Sequence, residues 1–222
     1  MSKSVIVSKV NRIQQRRQEE KEARRDSIVD AAETVFSSRG FESTTMADIA
    51  EQARLSRALV YFYFKDKDEL MVAITLRALQ LLRRNFERTA AKANTGLEKI
   101  VAIGTAYIEF GQTQPEYFRA IARGETKSSE PDSELELACQ AEASKVFRVT
   151  ADSVRQGIQD GSIDAELGDP DAYAVLLWGL VHGVVQVSAA KTSMLEKLYR
   201  LSADDIAEKA VRLIKRGLER QK

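Results

Sequence analysis

The sequence predicts an all-α protein. Only three prolines interrupt 222 residues, the stretches between them are rich in Ala, Leu, Glu, Lys, Gln and Arg, and apolar residues recur three and four apart with no strand-like alternation. A chain of this length folds as one large domain or two small ones. It can bury about 70% of its unfolded surface, enough for a core without covalent staples.

Ile28, Ala31, Ala32, Val35 and Phe36 make the apolar stripe of a first helix, which stops after Arg39 at Gly40. The charged stretch upstream is compatible with helix or with disorder. Thr45-Met46-Ala47-Asp48 reads as a capping-box start for a short second helix with Ile49, Ala50 and Ala53 on its inner face. Ser56 caps a third over 57–64, and Asp66-Lys67-Asp68-Glu69 opens a fourth that runs to about residue 93. Longer helices are expected over 97–113, 115–123, 133–160, 171–190 and 204–220. Pro115 suits a first helical position, Pro170 precedes an apolar run, and Ser202-Ala203-Asp204-Asp205 caps the last helix. The most loop-like interior stretch is 125–132.

Composition narrows the function. One cysteine, Cys139, excludes an intramolecular disulfide, and with His182 as the sole histidine the Cys/His ligands of most zinc sites are lacking. No metal site or cofactor is expected. A Ser-His-Asp or Cys-His enzyme would depend on His182 alone, far from any nucleophile turn, so the chain is not expected to be an enzyme. Residues 1–25 show no apolar segment ahead of a small-residue cleavage site, which makes a cytoplasmic location the expectation. Nineteen uncharged residues, 172–190, contain Gly179-x-x-x-Gly183 and reach the length of a membrane span. They also carry Tyr173, His182, Gln186 and Ser188, and glycines four apart equally let soluble helices approach, so no membrane is expected as a partner.

Charge is balanced overall, 34 basic residues against 33 acidic, but unevenly placed: residues 1–25 hold eight basic and three acidic side chains. A basic front end suits a polyanion. Behind it, residues 45–64 have the proportions of a helix-turn-helix, two helices of about eight residues around Arg54-Leu55-Ser56. With Ile49, Leu55, Val60 and Phe64 inside, Arg57, Ala58, Leu59, Tyr61 and Phe62 point mostly outward, and exposed aromatics flanked by basic residues call for a partner.

Phe41-Glu-Ser-Thr-Thr-Met-Ala-Asp-Ile-Ala-Glu-Gln-Ala53, then Leu55-Ser56-Arg57, then Tyr61-Phe62-Tyr63-Phe64-Lys65-Asp66-Lys67-Asp68-Glu69-Leu70 resembles the DNA-binding domain of tetracycline-repressor (TetR) family regulators. The likeness covers about 25–74. It implies a homodimer that places two recognition helices in successive major grooves of a palindromic operator on double-stranded DNA. Thr45 and Met46 match phosphate-contacting positions, and Arg57, Ala58 and Leu59 match the base-reading edge. Tyr61 and Tyr63 match backbone contacts, Phe62 a variable contact, and Lys67 a phosphate-binding lysine at a helix start. Two departures touch this surface. The turn glycine of the family is Arg54, which implies a strained left-handed residue or a slightly different turn, and Ala58-Leu59 replaces a common Gly-Thr pair.

A weaker resemblance, through Asp160-Gly161-Ser162-Ile163, Asp169-Pro170 and Trp178-Gly179-x-x-His182-Gly183, is to the family's ligand-sensing domains. It implies a four-helix dimer bundle from the last two helices, with Gly179, Gly183, Gln186, Val187, Ile206, Ala210, Leu213, Ile214 and Gly217 as interface candidates. Tyr107, Phe110, Tyr117, Phe118, Phe147, Trp178 and His182 are the candidates for binding an unknown small-molecule effector; as single residues they also suit an ordinary core. The expected organisation is a basic extension over 1–24, a three-helix helix-turn-helix domain over 25–70, and a larger helical ligand-sensing and dimerisation domain over 71–222. The expected function is a repressor released from its operator by a small molecule. An activator, or a helical ligand-binding protein that no longer binds DNA, are the alternatives.

Overall fold

The computed structural model describes residues 3–125 and 131–219, and among these every extended element is a helix. They divide into two compact units, one ending at Ile74 and one beginning at Thr75. The predicted loop 125–132 lies mostly outside the described residues, as does the last residue of the expected C-terminal helix.

The first unit holds α1 (Lys3–Arg39), α2 (Met46–Gln52), α3 (Arg57–Tyr63) and the start of α4 (Lys67–Ala90). The charged upstream stretch is continuous with the first helix. Pairs four apart, Gln15 with Glu19, Arg16 with Glu20 and Gln18 with Glu22, link side chains along its exposed turns. Gly40, at φ 79°, ends α1 where the sequence placed its stop. Ile28, Val29, Ala32, Ile49, Val60, Phe64 and Leu70 are all essentially removed from water and form the core of this unit. Full burial contributes roughly 1.5–3 kcal/mol per large apolar side chain, which is what holds helices this short in place.

The second unit continues α4 and adds α5 (Gly96–Thr113), α6 (Pro115–Glu125), α7 (Glu134–Asp160) and α8 (Pro170–Ala190). A one-turn α9 (Thr192–Met194) runs into a wider turn over Leu195–Tyr199, and α10 (Ala203–Leu218) closes the chain. Three of its helices, α5, α8 and α10, pack pairwise against one another, and α7 packs on α5 and α8. Glycines set two of these distances. A Cβ on Gly96 of α5 would stand 2.0 Å from the backbone nitrogen of Gly157 on α7, and one on Gly111 would stand 2.3 Å from Val185 of α8.

The Asp160-Gly161-Ser162-Ile163 motif turns out to be a fastener. Gly161 ends α7 at φ 74°, Asp160 accepts the amide of Gly96 at 2.8 Å, and Ser162 accepts that of Leu97 at 3.1 Å. Two otherwise unsatisfied donors of the α5 N-terminus are thereby paired. Ile163, buried, packs where a side chain on Gly157 would be, and Asp164 donates its amide to the Leu218 carbonyl at the end of α10. On the other side Arg83 of α4 and Lys145 of α7 both donate to the buried Glu142. Burial pushes the Glu142 carboxyl up, but the two cationic donors outweigh it and its pKa ends below the usual value.

Candidate nucleic-acid interface and ligand cavity

The surface of the first unit is built by caps. Thr45 opens α2 with a reciprocal pair: its Oγ1 accepts the Asp48 amide at 3.2 Å, and the Asp48 carboxylate accepts the Thr45 amide at 2.8 Å. Hydrogen bonds from Thr45, with Arg39 at 2.8 Å, hold the Asp48 carboxyl below its ordinary pKa. At the other end of α2, Leu55 donates its amide to Ala50 and Arg54 to Glu51, the paired bonds of a Schellman motif, with Arg54 left-handed at φ 56°. Of the two readings of this turn, the chain takes the strained one. The arginine keeps the turn geometry and accepts about 1 kcal/mol of backbone strain that glycine would avoid.

Ser56 then caps α3, accepting the Leu59 amide at 3.2 Å. Only Val60 of α3 is fully buried, with Phe64 just beyond its end. Arg57 and Ala58 are exposed, Leu59 and Tyr63 half-buried, and Tyr61 and Phe62 stand 54% and 73% in solvent. Phe62 and Tyr63 meet edge to face at 5.2 Å, and the Arg25 guanidinium lies 4.8 Å above the Phe64 ring. The result is a ridge with an arginine at its N-terminal end and two aromatic rings at the other. It can offer a bidentate guanidinium and apolar surface to the floor of a groove. Thr45 is exposed, but the Met46 side chain is buried in its own unit, which leaves the backbone at the first position of α2 as its means of meeting a phosphate. Lys67 has its ammonium fixed inward: it donates to the Phe41 carbonyl at 2.8 Å and lies 4.7 Å from the Phe41 ring centre. Its charge sits at the start of α4 as a cation anchored to the 41–42 loop.

In the second unit α4, α5, α7, α8 and α10 enclose a narrow cavity of about 30 Å³ lined by Phe86, Ile100, Ile103, Gly104, Tyr107, Val146, Phe147, Thr150, Leu177, Trp178, Val181 and Ile214. Among the sequence-predicted ligand residues, Tyr107, Phe147 and Trp178 line it. His182 and Phe118 stand behind them, stacked on each other at 4.8 Å, and the Tyr107 hydroxyl hydrogen-bonds to His182 Nδ1 at 2.8 Å. Phe110 is buried elsewhere in the core and Tyr117 packs against its edge. Burial lowers the His182 pKa, a hydrogen bond with Gln186 offsetting part of the effect, so the imidazole is held neutral. Phe86, Ile100, Ile103, Gly104, Val146, Thr150, Leu177 and Val181 complete the wall and are not singled out by the sequence, because their helical spacing is that of any core residue. Only Thr150, a hydroxyl on an inward face, carried a signal. Cys139 is half-buried, and burial with the nearby Glu136 carboxylate pushes its thiol up to about 11, away from thiolate chemistry.

The uncharged α8 is long and apolar enough to cross a membrane, yet it buries Ala174, Val181, His182 and Val185 against its own chain. Its other face stays open. Val175, Leu176 and Val187 are about half to two-thirds exposed, as is Leu213 on α10, and among the described residues nothing beyond the local helix lies within 4 Å of where side chains on Gly179, Gly183 and Gly217 would begin. Gln186 is exposed beside them and Ile206 half-buried. Ala210 and Ile214 need correcting as interface candidates: both are turned inward, Ile214 onto the cavity.

Residues 28–74 match the model for bacterial regulatory proteins of the tetR family, and residues 100–214 that for the tetracyclin repressor-like C-terminal domain. The regulator BetI of Brucella melitensis biotype 2 is 37% identical over 91 residues, 41% of this chain and 45% of that protein, so the match spans about half of the relative's length. A TetR/AcrR-family transcriptional regulator from Thermobifida fusca superposes with a TM-score of 0.69 at 22% identity, covering 89% of this chain and all of that one. FadR of Bacillus subtilis, solved in complex with stearoyl-CoA, superposes with a TM-score of 0.67 at 17% identity over 87% of this chain and 98% of its own. At such identities the two structures share the fold.

Proposed function

Because this chain belongs to the tetR family of bacterial regulatory proteins, we propose that it is a homodimeric, sequence-specific DNA-binding regulator that represses transcription until a small molecule releases it. The observation that carries this reading is the outward ridge of α3, where Arg57, Ala58, Tyr61 and Phe62 are exposed while Val60 and Phe64 anchor the helix from behind. Thr45, the Met46 amide and Tyr63 supply the contacts to phosphate beside it, and Lys67, anchored on the 41–42 loop, adds its charge to the field there without a direct contact. The open apolar faces of α8 and α10 support a second copy as partner, through Val175, Leu176, Gly179, Gly183, Val187, Leu213 and Gly217. A cytoplasmic location is part of the same proposal, since a regulator of transcription must reach the bacterial genome.

The effector is proposed to bury an apolar part among Tyr107, Phe147 and Trp178 and to meet the Thr150 hydroxyl. The likeness to a fold relative that holds stearoyl-CoA supports an acyl chain as that part. A cavity of about 30 Å³ is well below the roughly 300–1,000 Å³ of a ligand site, so binding selects an expanded conformer. A ligand shifts the protein only by its differential affinity for that conformer, and repression is relieved if the expanded form holds the two α3 ridges at a spacing the grooves do not match.

The test is selection of bound fragments from sheared genomic DNA of the source, followed by titration of the winning site at several salt concentrations. An enriched palindrome with a steep salt dependence is expected, released on adding stearoyl-CoA or a shorter acyl thioester. Uniform weak binding without enrichment would overturn the regulator reading.

A further inference from the structure

We propose that α1 upstream of the helix-turn-helix is a second DNA contact, a basic stripe that binds the phosphates flanking the site read by α3. The inference rests on the DNA-binding reading above. Arg17, Lys21 and Arg24 are spaced i, i+4 and i+7, which places them within an arc of about 60° on one side of the helix. All three are exposed. That arc is in register with Ile28, Ala32 and Val35, the residues through which α1 covers its own unit, so one face of one helix changes from apolar to basic at Arg25. Acidic side chains are kept off it. Glu19 and Glu22 fall on the opposite side, and Glu20, at the border, is paired with Arg16 at 3.0 Å.

The position of the stripe follows from Arg25. Its guanidinium lies over the ring of Phe64, the residue that ends α3 and follows the exposed Tyr61 and Phe62. From that contact α1 continues upstream at about 1.5 Å per residue, carrying Lys21 about 6 Å and Arg17 about 12 Å along its axis. With α3 in a major groove, charges leading away from its C-terminal end meet the phosphate rows that border the groove, not base edges. Three such contacts release counterions and bind every sequence alike. A lipid surface is disfavoured as the occupant, since a helix lying on a membrane needs an apolar face opposite its basic one, and here that side carries Glu19, Glu22 and Asp26.

The experiment compares the full-length wild type with the triple variant Arg17→Gln, Lys21→Gln, Arg24→Gln on the selected operator and on unrelated DNA. The plot of log affinity against log salt is expected to flatten by about 2 to 3 per protomer, about 5 for a bound dimer, with equal losses on both DNAs and unchanged base preference. Protection from hydroxyl-radical cleavage should be lost only outside the half-sites. The pair Arg17→Lys, Arg24→Lys should keep the wild-type slope, and Glu19→Gln with Glu22→Gln should leave it unchanged although net charge rises. A wild-type slope in the triple variant overturns the inference, as does an equal and opposite change in the acidic-face variant, which would reduce the effect to net charge. Absence of specific binding by the wild type would instead remove the DNA-binding reading on which the inference stands.

Discussion

Within α3, Val60 and the adjoining Phe64 hold the helix to its unit while Arg57, Ala58, Tyr61 and Phe62 face away. In the second unit Tyr107, Val146, Val181 and Ile214 close the core and line the cavity at once. A surface for a rigid polyanion needs few anchors, so folding and contact are divided among different residues. A site inside a helix bundle is made of the bundle itself. Substitutions should therefore separate stability from binding in the first unit and fail to do so in the second.

The strongest challenge to this division is Gly96→Ala, whose added methyl would stand 2.0 Å from a backbone atom of α7. The backbones of α5 and α7 must part, and we expect about 3 kcal/mol less stability in chemical denaturation, together with loss of any effector response. An unchanged midpoint would show that the two helices are not held at this point. Arg57→Ala should do the reverse. Operator binding weakens by roughly 1–3 kcal/mol with relaxed preference at one base pair, while the unfolding midpoint stays put, as measured by titration against single-base operator variants. Arg54→Gly sharpens the contrast from the other side: relief of the left-handed strain should stabilise the protein by about 1 kcal/mol and leave base preference untouched.

A smaller effect is expected from pH. The folded-state pKa of His182 lies below the unfolded value near 6.5, so the unfolded chain binds the proton first as pH falls. The stability that neutral His182 supports is present above that value and is lost as pH drops below it toward the folded pKa. His182→Gln should flatten the wild-type decline in melting temperature between pH 7 and 5, and an identical decline in both proteins would place the titrating group elsewhere.

Much of the fold was legible because helix ends are written in short-range chemistry. Thr45 with Asp48, Ser56, Asp66 with Glu69, and Ser202 with Asp205 each cap the helix that the sequence assigned to them. The upstream part of α1 was ambiguous, since a helix with charged residues on every side has no apolar period to read. The turn over 192–199 was not anticipated, its backbone conformation being set by what packs around Leu195 rather than by a cap. For the candidate sites the same logic divides the two units. Residues of α3 were readable because aromatic side chains facing water are conspicuous. The cavity wall was readable only at its aromatic members, and Phe86, Val146 and Val181 looked like core because they are core. The Asp160–Ile163 motif was noticed as a resemblance, but its work in capping α5 depends on residues more than sixty positions away.

Trp178 is the only tryptophan in the chain, and it stands in the cavity wall with Phe147 at 5.6 Å and His182 at 5.2 Å. Excited at the red edge of the absorption, beyond the six tyrosines, the ultraviolet emission of the whole protein therefore originates at one indole, placed where an effector would enter and beside the imidazole whose protonation quenches it. The molecule carries its own optical probe, so occupancy of the cavity and the charge of His182 can be followed in unlabelled protein, with and without DNA, from a single fluorescence band.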